Sequence, residues 1–392
     1  MGYKKIRVVL AWLLIILCMF SLVGCDFSDF ETPDGEVLIE DKSVKLIEPE
    51  RKSILYSSLD EVGEKIYNAA YTALCMDATS FTLIDVDLDV YQSAYAHTLT
   101  AFINDHPEFF WLDGYVEIST EKMSNSEIGN MKVTLGVFDY WSQNDLVKAK
   151  SELKDALAEI LLGINSLSND YEKVKFAHDY IIEFNSYDYG AYEAGDALDP
   201  QTDAYVNSAY GALVGGKVMC AGYARAFDLL MHSIGVESLY VSGLTQIGSH
   251  AWNLVCLDEN FYHIDLTWDD LDGDPAEVRY NYFCLTDEEI TKTHKISSKL
   301  TYPEATASDY NYFVKEGMVI DYYSFARVKK LADKYEGEGI FAFKCHDKKV
   351  MSAAIEDLIE NNMIFSIEIF GGAGSFQYMA DEDNNILTFY VD

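Results

Sequence analysis

The chain has 392 residues, 49% of them hydrophobic. That is enough for two or three modest domains and excludes a disordered protein. Asp and Glu number 65 against 29 Lys and Arg, a formal net charge of −36; a surface of that sign repels phosphate backbones, which excludes nucleic acid as a partner, and it carries no polybasic patch for anionic lipid.

Lys4, Lys5 and Arg7 precede an apolar run over 8–20, and Ser21-Leu22-Val23-Gly24-Cys25 follows it. Basic residues, an apolar run and then small residues are the order of an export signal, and the run is shorter than the roughly 20 residues of a membrane span. The Leu-Val-Gly-Cys ending resembles the lipobox of bacterial lipoproteins. That resemblance implies removal of residues 1–24, lipidation of Cys25, and a place outside the cytoplasm, held to the membrane by the lipid. Residues 25–52 are polar and acidic with Pro33 and Pro49, and read as a tether.

From residue 53 to 168 the pattern predicts an α+β region: a helix over 58–74, an alternating strand over 81–90, a second helix, and a strand after Trp111. A strongly periodic helix over 146–162 closes it, with a Leu/Ala stripe that reads as packing. The segment 169–298 opens with a helix capped by Asn169 or Asp170 and burying Val174, Ala177 and Ile181. A second helix starts at Cys220, because Tyr223, Ala226, Phe227, Leu230 and Ile234 share one face and Gly235 supplies a stop. Strands follow over 238–244, 250–257 and 261–268, the last two joined by a short polar turn. Residues 299–392 read as a small α+β domain: helices over 323–335 and 348–361, and strands over 340–344, 364–370 and 386–391. Its Cys345-His346-Asp347 triplet lies on a strand that alternates faces, so it makes no site.

Five cysteines follow Cys25, namely Cys75, Cys220, Cys256, Cys284 and Cys345. The number is odd, and no Cys-x-x-Cys pair points to a structural zinc, so an exported chain would keep at least one free thiol. Cys220 is the thiol with a chemical position. A helix start favours a thiolate and offers a backbone N–H to a developing oxyanion, although a buried structural cysteine is the plainer alternative. With a two-residue turn at Asp258-Glu259, the register makes His250 and Asp265 diagonal neighbours on one face, about 7 Å apart at Cβ. Asp265 can then fix the tautomer of His250 while the other ring nitrogen faces the thiol.

The strings Gly216-Lys-Val-Met-Cys220-Ala-Gly-Tyr-Ala-Arg-Ala-Phe227, Gly248-Ser-His250-Ala-Trp252-Asn-Leu-Val255 and His263-Ile-Asp265-Leu-Thr-Trp268-Asp-Asp270 resemble the three core motifs of the transglutaminase-like superfamily, in that family's order. The resemblance covers about 169–268 and extends weakly through Asn281-Tyr282-Phe283. It implies an α+β, papain-like transglutaminase-like core, in which the helix bearing the cysteine packs on an antiparallel sheet, with α+β flanks. It further implies a Cys220–His250–Asp265 triad and thiol acyl transfer on peptide or glutamine-type amides, by a cysteine peptidase, amidase or transglutaminase. Tyr187 is the match for a side chain that supports the oxyanion. Trp252 and Trp268 flank the triad as shields or as plain core. The other reading is a catalytically silent binding or scaffold module of the cell envelope.

No cofactor or metal is expected. Asp269, Asp270, Asp272 and Asp274 surround Gly273 without the spacing of a calcium loop, and read as a solvated acidic loop. A zinc site at Cys220, His250 and Asp265, joined by Cys256 or His263, lacks close ligand spacing. The expected partner is a protein or peptide substrate in the envelope.

Overall fold

The computed structural model describes residues 36–39, 46–123, 126–270, 278–333, 340–370 and 376–391. The architecture is α+β, built on three four- or five-stranded sheets. Among the described residues no helix is long and apolar enough to cross a membrane.

The first sheet has the order β1-β2-β4-β3. Its strands are β1 (Glu36–Ile39), β2 (Ser80–Asp87), β3 (Leu112–Lys122) and β4 (Ile128–Val137). β1 lies within the segment read as a tether and pairs parallel to β2. α1 (Glu61–Cys75) and α2 (Leu88–Asp105) cover the sheet. The helix expected over 58–74 starts at Glu61, because Asp60 accepts from the Gly63 N–H and caps a fresh start after the turn at Ile54–Ser57. β4 is absent from the expectation; it completes a long hairpin with β3. α3 (Leu146–Ile164) buries Leu153, Leu157, Ile160 and Leu161, the stripe predicted for packing.

α4 (Asp170–Phe184) starts at Asn169, whose side chain accepts the Glu172 N–H. It leads into β5 (Ser186–Tyr187) and α5 (Tyr189–Ala194). β5 pairs parallel with β6 (Lys217–Val218), which places Tyr187 opposite Val218, two residues before the thiol. α6 (Cys220–Ser233) packs on α4 and across β7 (Ser238–Thr245) and β8 (Gly248–Leu257). With β9 (Asn260–Ile264), β10 (Phe283–Leu285) and β11 (Lys295–Ile296) they form an antiparallel sheet of order β10-β9-β8-β7-β11. One continuous hydrophobic core joins this segment to the N-terminal sheet; Phe110 stacks on Tyr210 at 4.9 Å and Trp141 on Tyr205 at 5.7 Å.

β9 ends at Ile264, short of the expected 268, and α7 (Leu266–Asp269) begins. The cause is local: Asp265 accepts the N–H groups of Thr267 and Trp268 and turns the chain into a helix.

The third sheet has a separate core and the order β12-β13-β15-β14. It comprises β12 (Val319–Ile320), β13 (Ile340–Cys345), β14 (Phe376–Asp381) and β15 (Ile386–Val391), with helices α8 (Phe325–Ala332) and α9 (Lys348–Ile355). The expected strand over 364–370 is instead a pair of 3₁₀ turns, in which Ile364, Ile367 and Phe370 bury one face at the three-residue spacing of that helix. Lys344 pairs with Glu289 at 2.5 Å and Asn281 donates to Asp381 at 3.0 Å, tying this unit to the central one.

Candidate active site

Cys220, His250 and Asp265 come together from three consecutive parts of the central unit. Met219 is extended and Cys220 is the first residue of α6, so the Cys220 N–H has no acceptor within the helix. The approach depends on two glycines. Gly216 sits at φ +77°, in the left-handed region that a side chain disfavours, and a Cβ on Gly222 would lie 2.7 Å from Val218 and 2.8 Å from the Val206 carbonyl. Cys220 is half-buried.

The sheet delivers the other two groups. Asp258 and Glu259 both have positive φ, the two-residue turn that suits a hairpin, and Leu257 pairs with Asn260 as predicted. The register carries up to Asn253 and Ile264. His250, two rungs further from the turn than Trp252, then meets Asp265 diagonally, with Nε2 to Oδ2 at 2.7 Å. Nε2 is committed to the carboxylate, so Nδ1 is the ring nitrogen left for the neighbouring Cys220 sulfur. Burial alone would lower the His250 pKa; the Asp265 carboxylate and then the Cys220 sulfur outweigh it and raise it to about 10. Burial likewise opposes ionisation of Asp265, but His250 and His294 outweigh it and hold the carboxyl well below its usual range.

The thiol helix is locked to the histidine strand by a buried polar junction. Asp228 of α6 accepts from Ser238 of β7, and from Asn253 of β8 at 2.8 Å. Asn253 also donates to the Ala224 carbonyl at 3.0 Å. Burial pushes the Asp228 pKa up to about 7.

Tyr187 stands near the thiol. Burial first, then the neighbouring Cys220, Tyr192, Tyr189 and Asp265, raise its pKa, so its hydroxyl remains a proton donor. Its ring centroid is 5.0 Å from that of Tyr189 and 6.4 Å from that of Tyr192, and Tyr192 bonds the Ile247 carbonyl at 2.6 Å, so these tyrosines reach the hairpin that bears His250. Trp252 is fully buried and stacks near His250 at 6.2 Å; its Nε1 donates to His263 at 3.0 Å. Trp268 is half-buried and lies 5.9 Å from the His250 ring.

Sequence reasoning did not find His294. Its Nε2 meets the same Asp265 oxygen at 2.9 Å, and its side chain is fully buried. The only signal for it in the sequence is a histidine closing a short capped helix.

One expectation needs correction. Asp269 and Asp270 are not a solvated loop: Asp269 accepts from His178 at 3.3 Å and from the Tyr282 N–H at 2.9 Å, and Asp270 accepts from Tyr223 at 2.5 Å. Both are buried behind the site; Asp272 and Asp274 lie outside the described residues. His263 bridges Trp252 and Asp287, and Cys256 lies four residues beyond Trp252 on the strand. Among the described residues, His250, Asp265 and His294 have ligand atoms within 4.8 Å of one another. They do not suit a metal, because N–H donors occupy both oxygens of Asp265. Cys25 lies outside the described residues.

Comparison with known proteins bears on this segment. A family model described as the transglutaminase-like superfamily matches residues 159–266. Among solved structures, a TGase is 15% identical over 48% of this chain and 50% of its own, with a TM-score of 0.27. A candidate cysteine protease from Cytophaga hutchinsonii is 16% identical over 39% and 62%, with a TM-score of 0.24. The periplasmic domain of TgpA from Pseudomonas aeruginosa is 16% identical over 39% and 65%, with a TM-score of 0.23. This chain thus spans half to just under two thirds of the length of those structures. No curated protein matches it. The central segment, with a thiol at a helix start against an antiparallel sheet that presents a His–Asp pair, is the part of the chain that is similar to the transglutaminase-like superfamily.

Proposed function

We propose that the protein is a thiol acyl-transfer enzyme acting on peptide or glutamine-type amides, with Cys220 as nucleophile, His250 as acid and base, and Asp265 as its orienter. The observation that carries this reading is the buried His250–Asp265 pair, Nε2 to Oδ2 at 2.7 Å, beside a cysteine that opens a helix. The Cys220 S–H proton passes to His250, sulfur attacks the amide carbon and a C–S bond forms as the carbonyl π bond opens; the developing oxyanion meets the Cys220 N–H, with Tyr187 as a second donor. The C–N bond then breaks as His250 gives its proton to the leaving amine. Water, deprotonated by His250, hydrolyses the thioester to an acid, and an amine in its place gives a new amide.

In this reading the enzyme works outside the cytoplasm, anchored by lipid on Cys25, on a protein or peptide of the cell envelope. The support for that is the order of residues 1–25.

The reading is tested with a peptide library and a glutamine amide, each with and without a fluorescent primary amine. Cleavage, ammonia release or amine incorporation that disappears in Cys220→Ala supports it and names the acceptor. Equal traces from wild type and Cys220→Ala, together with an unreactive thiol, would make the domain a silent binding module.

A further inference from the structure

His294 is a buried side chain at this site with no part in the chemistry above. Both it and His250 place Nε2 on Oδ2 of Asp265, at 2.9 and 2.7 Å. An ionised carboxylate only accepts, so both nitrogens donate. The other oxygen takes the Thr267 and Trp268 N–H groups at 3.0 and 3.2 Å. One buried carboxylate therefore serves four donors, two of them imidazoles.

The His294 ring is firmly set. Its centroid lies 4.5 Å from Trp268, 5.0 Å from Trp252 and 5.3 Å from His250. Its backbone N–H bonds the Ile290 carbonyl at 2.9 Å, the end of the short helix Asp287–Ile290. Thr293 Oγ1 meets Nδ1 at 2.8 Å. A chain of polar groups thus runs from Thr293 through His294 and Asp265 to His250. The other titratable groups facing it are Cys220 on His250, His263 beside His294, and Tyr187 beside Asp265.

We infer that His294 is a positioning residue of this site, which shares the Asp265 oxygen with His250 and so limits how tightly the carboxylate holds the His250 proton. The inference rests on the acid–base role proposed for His250. A second donor on the same oxygen spreads its charge; without that donor, the charge in a dry setting bears on His250 alone. His250 then keeps its proton more strongly and gives it up to a leaving amine less readily.

The test is imidazole NMR of the full chain, comparing wild type, His294→Phe and His294→Gln. The aromatic substitution keeps the ring's bulk and removes the donor; the amide restores an N–H. The account predicts two protected downfield Nε2 protons in the wild type. In His294→Phe the remaining His250 proton moves further downfield, and its titration midpoint rises by about one pH unit, the size of one hydrogen bond to a charged group. His294→Gln returns most of that shift. An unchanged His250 resonance and midpoint in His294→Phe overturns the inference, as does a Gln variant that shifts as far as Phe. If His294→Phe does not fold, Thr293→Val is read instead: a smaller shift in the same direction supports the inference and an unmoved resonance overturns it. The resonances need no turnover, so a wild type without activity defeats the proposed function while leaving the shared oxygen testable.

Discussion

Asp265 holds His250 with one oxygen and redirects the chain with the other. Oδ2 lies 2.7 Å from His250 Nε2, and Oδ1 accepts two N–H groups that open α7. The two duties separate in variants. Asp265→Asn keeps the capping oxygen and loses the charge, so the fold persists while turnover falls on the order of 10³- to 10⁴-fold through the wrong tautomer. Asp265→Ala also loses the cap, worth about 1 kcal/mol, and leaves the N–H groups of Thr267 and Trp268 without that acceptor. Thermal melts beside kinetics check the difference; equal melting temperatures for the two variants would contradict the dual role.

His250 sets the pH dependence. Its folded pKa of about 10 stands above the ordinary imidazole value. Its contribution to stability is therefore complete below about pH 6.5 and is lost as pH rises through about 10. Asp265 has the opposite sense, since its pKa is depressed and its contribution, present above about pH 4, is lost only in strong acid. Turnover needs protonated His250, so the alkaline limb of kcat/KM is expected near pH 10. A limb near pH 6.5 would mean that Asp265 does not act on His250.

Asp228 is the junction between α6 and the sheet, and burial raises its pKa to about 7. The folded state then binds this proton more tightly than the unfolded one, so stability from this group declines as pH rises from about 4 to 7 and is level above. Asp228→Asn keeps the oxygen that accepts from Ser238 and Asn253. It is expected to match wild type at pH 4 and exceed it at pH 8 by on the order of 1–3 kcal/mol. Denaturant melts at the two pH values decide it; a variant less stable at pH 8 contradicts the assignment.

On the lipoprotein reading proposed above, Cys25 is the lipidated residue, so Cys25→Ser should abolish lipidation and release the protein or leave it unprocessed. Unchanged mass and unchanged membrane retention would end the lipoprotein reading.

The parts legible in the sequence are those with local rules. The helix at Cys220 follows from apolar spacing, and the meeting of His250 with Asp265 follows from a two-residue turn whose register cannot slip without turning every side chain over. His294 obeys no such rule: it reaches Asp265 across 29 residues that include a turn, a strand and a capped helix. The burial of Asp269 was equally hidden, since its partner His178 lies 91 residues away on α4. At 364–370 an apolar run satisfies strand and 3₁₀ helix alike, and the structure takes the helix.

The central claim is that His250 activates Cys220, and thiol alkylation measures it most directly. The other free thiols provide the reference: Cys284 and Cys345 are buried and Cys256 is half-buried, and burial pushes the pKa of each upward. Iodoacetamide at pH 7, followed by mass mapping, is expected to label Cys220 first in wild type and about tenfold or more slowly in His250→Ala. The double variant Cys220→Ala, His250→Ala should turn over no worse than either single one, because the groups act as a unit. If Cys220 reacts no faster than an ordinary thiol, and His250→Ala leaves its rate unchanged, the acyl-transfer account is wrong.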